Sequence, residues 1–355
     1  MDAPQYSCTI VSDRASLEEH LTSWQSCWEY SAFASVFNHP AFCLAWYESI
    51  GVACGVVPVL ASLFQNNHLA GVFPLCRFPQ SEYLTVFGGE DFADYHEVLI
   101  DQRIVGQIDL GKVFEAVGRE IDYPIVLARV RKPQANQIEA SVPAAVVTDA
   151  MTHSYGVSIR NLQNPDLALL RHGGRTFLAD TYRCRKNLQA DVGYTFEWYD
   201  SPAMIVEELI EFVRGQTKLR YLRTGAPDLT LTPGYERFLS ELVVRGHRYG
   251  VCFAVALKTF AGEVFSAQLG FAADKQIFWY LPAYDPLYRR YSPGRLLIFE
   301  TILASAARGY AYFDFTWGDD DYKTKWCGTG RPLYRVLYDK RSAADSLSRC
   351  PCPVD

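Results

Sequence analysis

One short stretch of the sequence combines residue types that favour the binding of an anion. It is Ser292-Pro293-Gly294-Arg295, and apolar residues follow it at helical spacing as far as Gly309. Ser292 suits the N-cap of a helix, and Pro293 suits the first turn, where its missing N–H is no loss. Gly294 has no side chain, so a ligand can approach the backbone there. The free N–H groups and the dipole of such a helix end attract phosphate.

The same four residues are also typical of an ordinary helix start, and the residues around them favour the binding hypothesis. Arg290 stands just before the motif, where it could reach the phosphates of a ligand. An apolar, aromatic strand is predicted after the helix, and Asp314 lies near the end of that strand. A polar loop then leads to the segment Tyr322–Trp326. The ordered combination predicts a site at the front of this helix.

The elements that must position these residues recur along the chain. Helices are predicted at 16–30, 40–50, 108–120, 178–189, 203–215, 233–245 (closed by Gly246) and for about fifteen residues from Pro293. Strands are predicted at 6–11, 56–64, 68–75, the end of 91–100, 125–130, 194–199, 251–258, 263–271, 276–281, 310–315 and 332–338, with a loop at 132–140. The order of the first half returns in the second, which predicts two related α/β halves.

Composition and charge limit the possible classes of protein. Of 355 residues, 49% are hydrophobic and 21% charged, which indicates a globular chain. We expect no membrane span and no signal peptide, and therefore a cytoplasmic protein. Residues 1–150 carry 8 basic and 18 acidic residues (−10) and residues 151–355 carry 26 and 22 (+4), giving the net charge of −6. We expect a phosphorylated ligand on the basic half. Ten scattered cysteines without a Cys-x-x-Cys motif argue against a metal site.

The second half resembles the GNAT superfamily of acyl-CoA-dependent acyltransferases, and in particular the branch named after the CelD and BcsL proteins of cellulose biosynthesis. In that half the resemblance is carried by Thr181–Leu188, Gly246, Tyr284–Tyr288, Ser292–Gly294, Phe313–Phe315, Tyr322, Lys323 and Trp326. The first half is similar through His39–Phe42, Gly71–Leu75, Asp94 and Tyr95.

The resemblance implies two GNAT-like halves side by side with a ligand cleft between them, an arrangement shared with Fem-type peptidoglycan aminoacyltransferases. The implied domains are 1–160, without a phosphate loop, and 161–340, with the acyl-CoA site. Residues 341–355 are expected to be a flexible tail. In GNAT folds a helix after two splayed strands binds the pyrophosphate of the carrier, and here this maps onto Ser292, Pro293, Gly294, Arg295 and neighbouring Arg290. A histidine frequent in relatives is absent from Gly215–Arg220.

Acyl transfer from a thioester requires a held carrier, an unprotonated nucleophile, a stabilised oxyanion and a protonated leaving thiolate. Lys323 lies where Fem-type enzymes have a lysine, and it could steady the oxyanion or simply be a surface lysine. Asp314 could act as a general base or orient an amine, and a structural ion pair is the alternative. Tyr322 and Tyr284 could protonate the thiolate, although either could serve only in packing.

Other candidates are placed less specifically by the sequence. Asp94 and Tyr95 are assigned to substrate binding, and His96 is the histidine best placed to titrate near neutral pH, although a core histidine is the alternative. Arg183 could contact substrate or carrier phosphates, or could belong to a solvated helix face. Tyr284 and Trp326 complete the substrate-binding set.

The sequence thus predicts an enzyme that transfers an acyl group, expected to be acetyl, from acyl-CoA to an amine or hydroxyl of a small molecule or saccharide. One alternative is a Fem-like transferase that takes its aminoacyl group from tRNA. The other is a scaffold without catalytic activity. No metal is expected in any of these.

Overall fold

The computed structural model describes residues 4–103, 108–160 and 172–341. Its strands are β1 (Tyr6–Val11), β2 (Val57–Gln65), β3 (His68–Arg77), β4 (Thr85–Val86), β5 (Leu99–Ile100), β6 (Ile125–Arg131), β7 (Ala145–Ser158), β8 (Tyr194–Tyr199), β9 (Cys252–Thr259), β10 (Val264–Ala273), β11 (Gln276–Tyr284), β12 (Tyr312–Trp317) and β13 (Arg331–Tyr338). Its α-helices are α1 (Arg14–Glu19), α2 (Leu21–Glu29), α3 (Pro40–Trp46), α4 (Gly89–Phe92), α5 (Leu110–Glu120), α6 (Lys132–Ser141), α7 (Gly174–Asp191), α8 (Pro202–Glu208), α9 (Ile210–Thr224), α10 (Tyr235–Arg248), α11 (Pro293–Ala307) and α12 (Asp321–Cys327).

The chain divides into two compact units. Within the described ranges, the first unit contains residues up to 43, residues 54–151 and residues from 332 onward. The second contains residues 44–53 and 152–331. The two units are therefore not consecutive along the chain. A short helical segment near residue 50 belongs to the second unit, and strand β13 belongs to the first. The expected tail lies outside the described residues beyond 341.

The first unit is built on a sheet with the order β1-β2-β3-β4, and β5 also pairs with β3. The predicted hairpin is confirmed, since β2 and β3 pair from Val57 with Arg77 to Gln65 with His68. Asn66 and Asn67 form its turn with φ values of 49° and 65°. Asparagine tolerates this left-handed conformation, which matches the twist of the strands. In the same unit, β6 pairs with β13.

The second unit contains the strand order β7-β12-β11-β10-β9-β8. All neighbours in this order are antiparallel except β11 and β12, which run parallel. Parallel neighbours require a crossover connection, and α11 supplies it. Helices α7 and α11 pack on one face of this sheet through apolar side chains such as Leu188, Leu296 and Phe299. The sequence therefore places the front of α11 at the carboxyl end of β11.

The parallel pair β11 and β12 separates after only three paired positions. Gln276 pairs with Tyr312, Ile277 with Phe313 and Phe278 with Asp314. Of the six residues of β11 beyond them, the last four, Leu281–Tyr284, pair with β10 on the other side. A bulge in the β10–β11 ladder falls at the same place. The splay that the resemblance implied for these strands is therefore present.

Two short elements depart from the sequence prediction. Residues 132–140 were expected to be a loop but form α6, which buries the polar side chain of Gln134 as well as Ala135 and Ile138. Gln134 accepts a hydrogen bond from the Val98 N–H (3.0 Å) and donates one to the Val98 carbonyl (2.8 Å). Helix α12 covers the Tyr322–Trp326 segment, for which no element was predicted. Neither helix is long enough for a clear apolar period.

Gly246 was expected to close a helix, but α10 continues past it to Arg248. A side chain at Gly246 would place its Cβ 2.5 Å from the Cβ of Cys252. The glycine therefore permits close packing of α10 on the start of β9 instead of ending the helix. Strand β7 was not predicted either, because its sequence is rich in Thr, His and Ser and only part of it is buried.

The predicted fold class, mixed α/β in two units, is confirmed. Among the described residues, the helices fall short of the length and apolar character that a membrane crossing requires.

Candidate functional site

The front of α11 is a helix end without a side-chain cap. Ser292 has left-handed backbone angles, φ 53° and ψ 56°, and makes no capping hydrogen bond from its side chain. The expectation that Ser292 caps the helix through its side chain is therefore wrong, because an N-cap residue needs extended backbone angles for that bond. The Sγ of Cys184 lies 3.8 Å from its Oγ instead. Pro293 occupies the first turn as expected.

Gly294 lies open at this helix front. A Cβ built on Gly294 would have a single heavy atom within 4 Å, the Cδ1 of Tyr284 at 3.8 Å. Tyr284 ends strand β11, so the structure brings these two predicted site residues together. In the described chain, space remains in front of the first turn for a ligand. N–H groups of a helix start that lack a side-chain cap are suited to an anion there.

The two arginines near the helix front make different contacts. The guanidinium of Arg295 lies 5.0 Å from the ring centroid of Phe177. Arg290 is largely exposed, hydrogen-bonds to the Tyr291 hydroxyl and lies 3.8 Å from Asp191. Arg290 is thus held at the helix front by partners that a phosphate could replace.

Aromatic contacts connect the helix front to the segment after β12. The ring of Phe177, which the Arg295 guanidinium contacts, packs edge-on against Trp326 with 5.3 Å between the ring centroids. Trp326 stacks near Phe315 (6.3 Å) and is 1% exposed. The sequence assigned Trp326 to substrate binding, but the structure makes it a buried core residue that packs against Phe177 and Phe315.

Tyr322 is held as a neutral phenol. Burial raises its pKa well above the usual range, and the nearby carboxylate of Asp320 adds to this, while Arg220 and a hydrogen bond with the Trp279 side chain oppose it. Trp279 is the first residue of β11 after its last pair with β12, where the two strands begin to separate. A tyrosine that stays protonated at neutral pH beside the splay could donate a proton there.

Lys323 is buried and turned towards its own loop. It is 3% exposed, its Nζ donates to the carbonyl of Trp317, and it lies 3.2 Å from the carboxylate of Asp320. The alternative of an exposed surface lysine is excluded. The ammonium group fixes the loop that links β12 to α12.

Asp314 is also buried, at 2% exposed. Its Oδ1 accepts a hydrogen bond from the backbone N–H of Thr316 at 2.7 Å. Thr316 has a φ of 60°, and the pairing of β12 with β7 shifts register between these two residues. The carboxylate therefore stabilises a bulge that bends the end of β12.

A second cluster on the same loop was missed by sequence reasoning. Asp319 accepts hydrogen bonds from His153 Nδ1 (2.8 Å) and the Tyr155 hydroxyl (2.9 Å). Burial alone would raise the pKa of Asp319, but these two bonds outweigh it and hold the pKa below its usual range. His153 lies on β7, 166 positions away along the chain. Only strand pairing brings the two residues together, so no sequence spacing could have indicated the pair.

Asp94, Tyr95 and His96 belong to the first unit. Tyr95 is 1% exposed and lies under the Arg131 guanidinium, 4.8 Å from its ring centroid. Asp94 is 8% exposed.

His96 is fully buried between backbone groups. Its Nδ1 lies 3.1 Å from the N–H of Ala128 and its Nε2 lies 3.1 Å from the carbonyl of Ala93. Burial and the charge of Arg129 lower its pKa well below the usual range. The expectation that His96 titrates near neutral pH is therefore wrong.

Arg183 lies on the solvent face of α7. It is exposed and pairs with Asp180 one turn earlier, 3.0 Å away. Among the described residues, Arg183 has contacts typical of a solvated helix face.

Comparisons with known proteins agree with this geometry. Residues 175–324 match the family described as acetyltransferase (GNAT) domain. The crystal structure of FemX is similar with a TM-score of 0.61 at 10% identity, over 93% of this chain and 97% of that one. The structure of L-PGS from Bacillus licheniformis is similar with a TM-score of 0.54 at 13% identity, over 94% of both chains. No curated protein sequence matches the chain.

Residues 175–324 are thus similar to an acetyltransferase domain of the GNAT class. The matched residues include the splayed strands, the open front of α11 and both Tyr322 and Lys323. The prediction of a GNAT-type acyltransferase is confirmed by this domain, while the likeness to FemX and L-PGS shows the fold alone.

Proposed function

We propose that the protein transfers an acyl group from acyl-CoA, with acetyl-CoA as the first donor to test, to an amine or a hydroxyl of a small molecule or saccharide. The observation that carries this proposal is the open, uncapped front of α11 at the end of a splayed strand. Ser292, Pro293, Gly294 and Arg295 would hold the diphosphate of the carrier, and Arg290 would add a charge-assisted hydrogen bond.

The free edge of β11 supports binding of the rest of the donor. After Phe278 its backbone N–H and C=O groups on the β12 side pair with no strand of the described chain. The pantetheine arm of CoA contains two amides, which can pair with such an edge as an added strand does. This would place the thioester in the wedge between β11 and β12, with Tyr284 beside the diphosphate.

The side chains suggest a direct attack on the thioester. Tyr322, kept protonated, would give its proton to the leaving thiolate as the acceptor amine forms the new amide bond. His153, held by Asp319 and 44% exposed at its side chain, is better placed to take a proton from the acceptor than the buried Asp314. Lys323 and Asp314 would act by shaping the end of β12.

The tRNA-dependent alternative remains a candidate because the FemX and L-PGS structures share the fold. The balance of +4 in residues 151–355 is compatible with nucleic acid but weak. The proposal also includes membership in the CelD/BcsL branch, a cytoplasmic location and the domain limits at 160 and 340.

Calorimetric titration with CoA, acetyl-CoA and charged tRNA tests the donor. We expect saturable heat with CoA and acetyl-CoA, and release of free thiol when acetyl-CoA and an accepted amine are both present. Heat with charged tRNA alone, with affinity falling steeply between 50 and 200 mM salt, would favour the tRNA-dependent enzyme. Absence of heat with every donor would favour the scaffold without catalytic activity.

A further inference from the structure

An open pocket in the second unit has no role so far. Its volume is about 500 Å³, and it is lined by Tyr182, Arg185, Lys186, Tyr194, Phe196 and Glu300. These residues come from α7, β8 and the middle of α11. The volume is within the range of sites that bind small molecules and cofactors.

The charges of this pocket leave one cation without a partner. Glu300 is compensated, because Arg185 Nε lies 3.1 Å from its carboxylate and the Tyr194 hydroxyl donates to it at 2.8 Å. Lys186 makes no ion pair within the described ranges and is exposed at the pocket. One carboxylate and two cations leave a balance of +1, which favours an anionic ligand.

The walls of the pocket also present aromatic surface. Tyr182 is 37% exposed and packs edge-on against Phe299 of α11. Phe196, on β8, also lines the pocket. Flat apolar side chains beside a free cation suit a ligand that combines an aromatic ring with a phosphate.

The pocket and the helix front share two elements, α7 and α11. Cys184, next to Arg185 on α7, lies 3.8 Å from Ser292. Glu300 stands seven residues after Pro293, which is about 10 Å along the helix. This separation matches the reach from the diphosphate of a nucleotide to its base and ribose.

We propose that this pocket holds the phosphorylated adenosine end of the acyl carrier, with Lys186 binding the 3′-phosphate and Tyr182 packing on the adenine. The proposal rests on the proposed use of CoA and adds the part of the donor that the protein selects. If Lys186 binds the 3′-phosphate, CoA binds more tightly than 3′-dephospho-CoA.

Titration of both ligands against three proteins tests this. For the wild type we expect CoA to bind about 10-fold more tightly than 3′-dephospho-CoA, the order of one charge-assisted hydrogen bond. Lys186→Met should abolish that difference and leave the affinity for 3′-dephospho-CoA unchanged. The control Lys218→Met, an exposed lysine on α9, should keep the wild-type difference.

Equal affinity of the wild type for the two ligands would overturn the proposal, as would a tenfold preference retained by Lys186→Met. In both cases CoA would still bind, so the proposed donor would stand. A wild type that binds neither ligand would overturn the donor and this pocket together. Thermal unfolding of each variant verifies that the exposed substitutions leave the fold intact.

Discussion

At the scale of single residues, Tyr322 and Lys323 are neighbours with different tasks. The hydroxyl of Tyr322 hydrogen-bonds to the side chain of Trp279 on β11, whereas the ammonium of Lys323 is bound by its own loop. Adjacent positions on a helix point in different directions, so a motif that contains both residues gives no information on which one acts.

Tyr322→Phe removes the proposed proton donor while keeping the ring that contacts Phe315. We expect turnover to fall about 100-fold, a typical contribution of a general acid, with little change in KM for the donor. Thiol release under single-turnover conditions measures this. The matched control is Tyr249→Phe at an exposed tyrosine of the same unit. Unchanged turnover in Tyr322→Phe would contradict its role.

Lys323→Met tests the structural role of the lysine. Its loss would leave the carbonyl of Trp317 and the carboxylate of Asp320 without this partner, at a cost of about 1–3 kcal/mol of stability. We expect a lower denaturation midpoint and lower turnover together. Chemical denaturation followed by an activity assay measures both. Lost turnover at full stability would instead show that Lys323 acts on the substrate.

At the scale of elements, the front of α11 depends on one glycine. Gly294→Glu places a negative charge where the diphosphate would bind, and the space around Gly294 accepts a side chain. We expect loss of CoA binding with an unchanged thermal midpoint, measured by calorimetry and thermal unfolding. The control Gly294→Ala adds only a methyl group that has room, and its fold should be preserved. Carrier affinity retained in Gly294→Glu would argue against the site.

The sequence predicted those elements that local signals determine. Helix α11 follows a Pro-Gly start and ends before Gly309, and the β2–β3 hairpin has two asparagines in its turn. Helices α6 and α12 and strand β7 carry weak local patterns and are stabilised by contacts with distant residues. The site could not be predicted for the same reason. The burial of Lys323 and the His153–Asp319 pair depend on how β12, β7 and α12 meet.

At the scale of the whole molecule, two buried histidines link the stability of the first unit to pH. Burial lowers the pKa of His39 to about 3, and burial together with the charge of Arg129 lowers the pKa of His96 well below its usual range. Unfolded histidine takes up a proton below pH ~6.5 whereas these folded ones stay neutral, so stability is lost as the pH falls below that value. At pH 5.5 each histidine lowers the free energy of unfolding by about 1.4 kcal/mol.

Denaturant unfolding of the wild type and His96→Asn at pH 7.5 and 5.5 measures this linkage. We expect the variant to lose less stability between the two pH values than the wild type. His68→Asn, at an exposed histidine, should show the wild-type dependence. The same pH dependence in all three proteins would contradict the assignment.

Hydrogen–deuterium exchange with and without CoA tests most directly whether the front of α11 binds the acyl carrier. The N–H groups that start α11 should exchange more slowly when CoA is present, so peptides covering residues 292–297 should gain protection. Peptides covering residues 89–100 of the first unit should exchange at the same rate in both conditions. Unchanged exchange at residues 292–297 with saturating CoA would contradict a carrier site at this helix front.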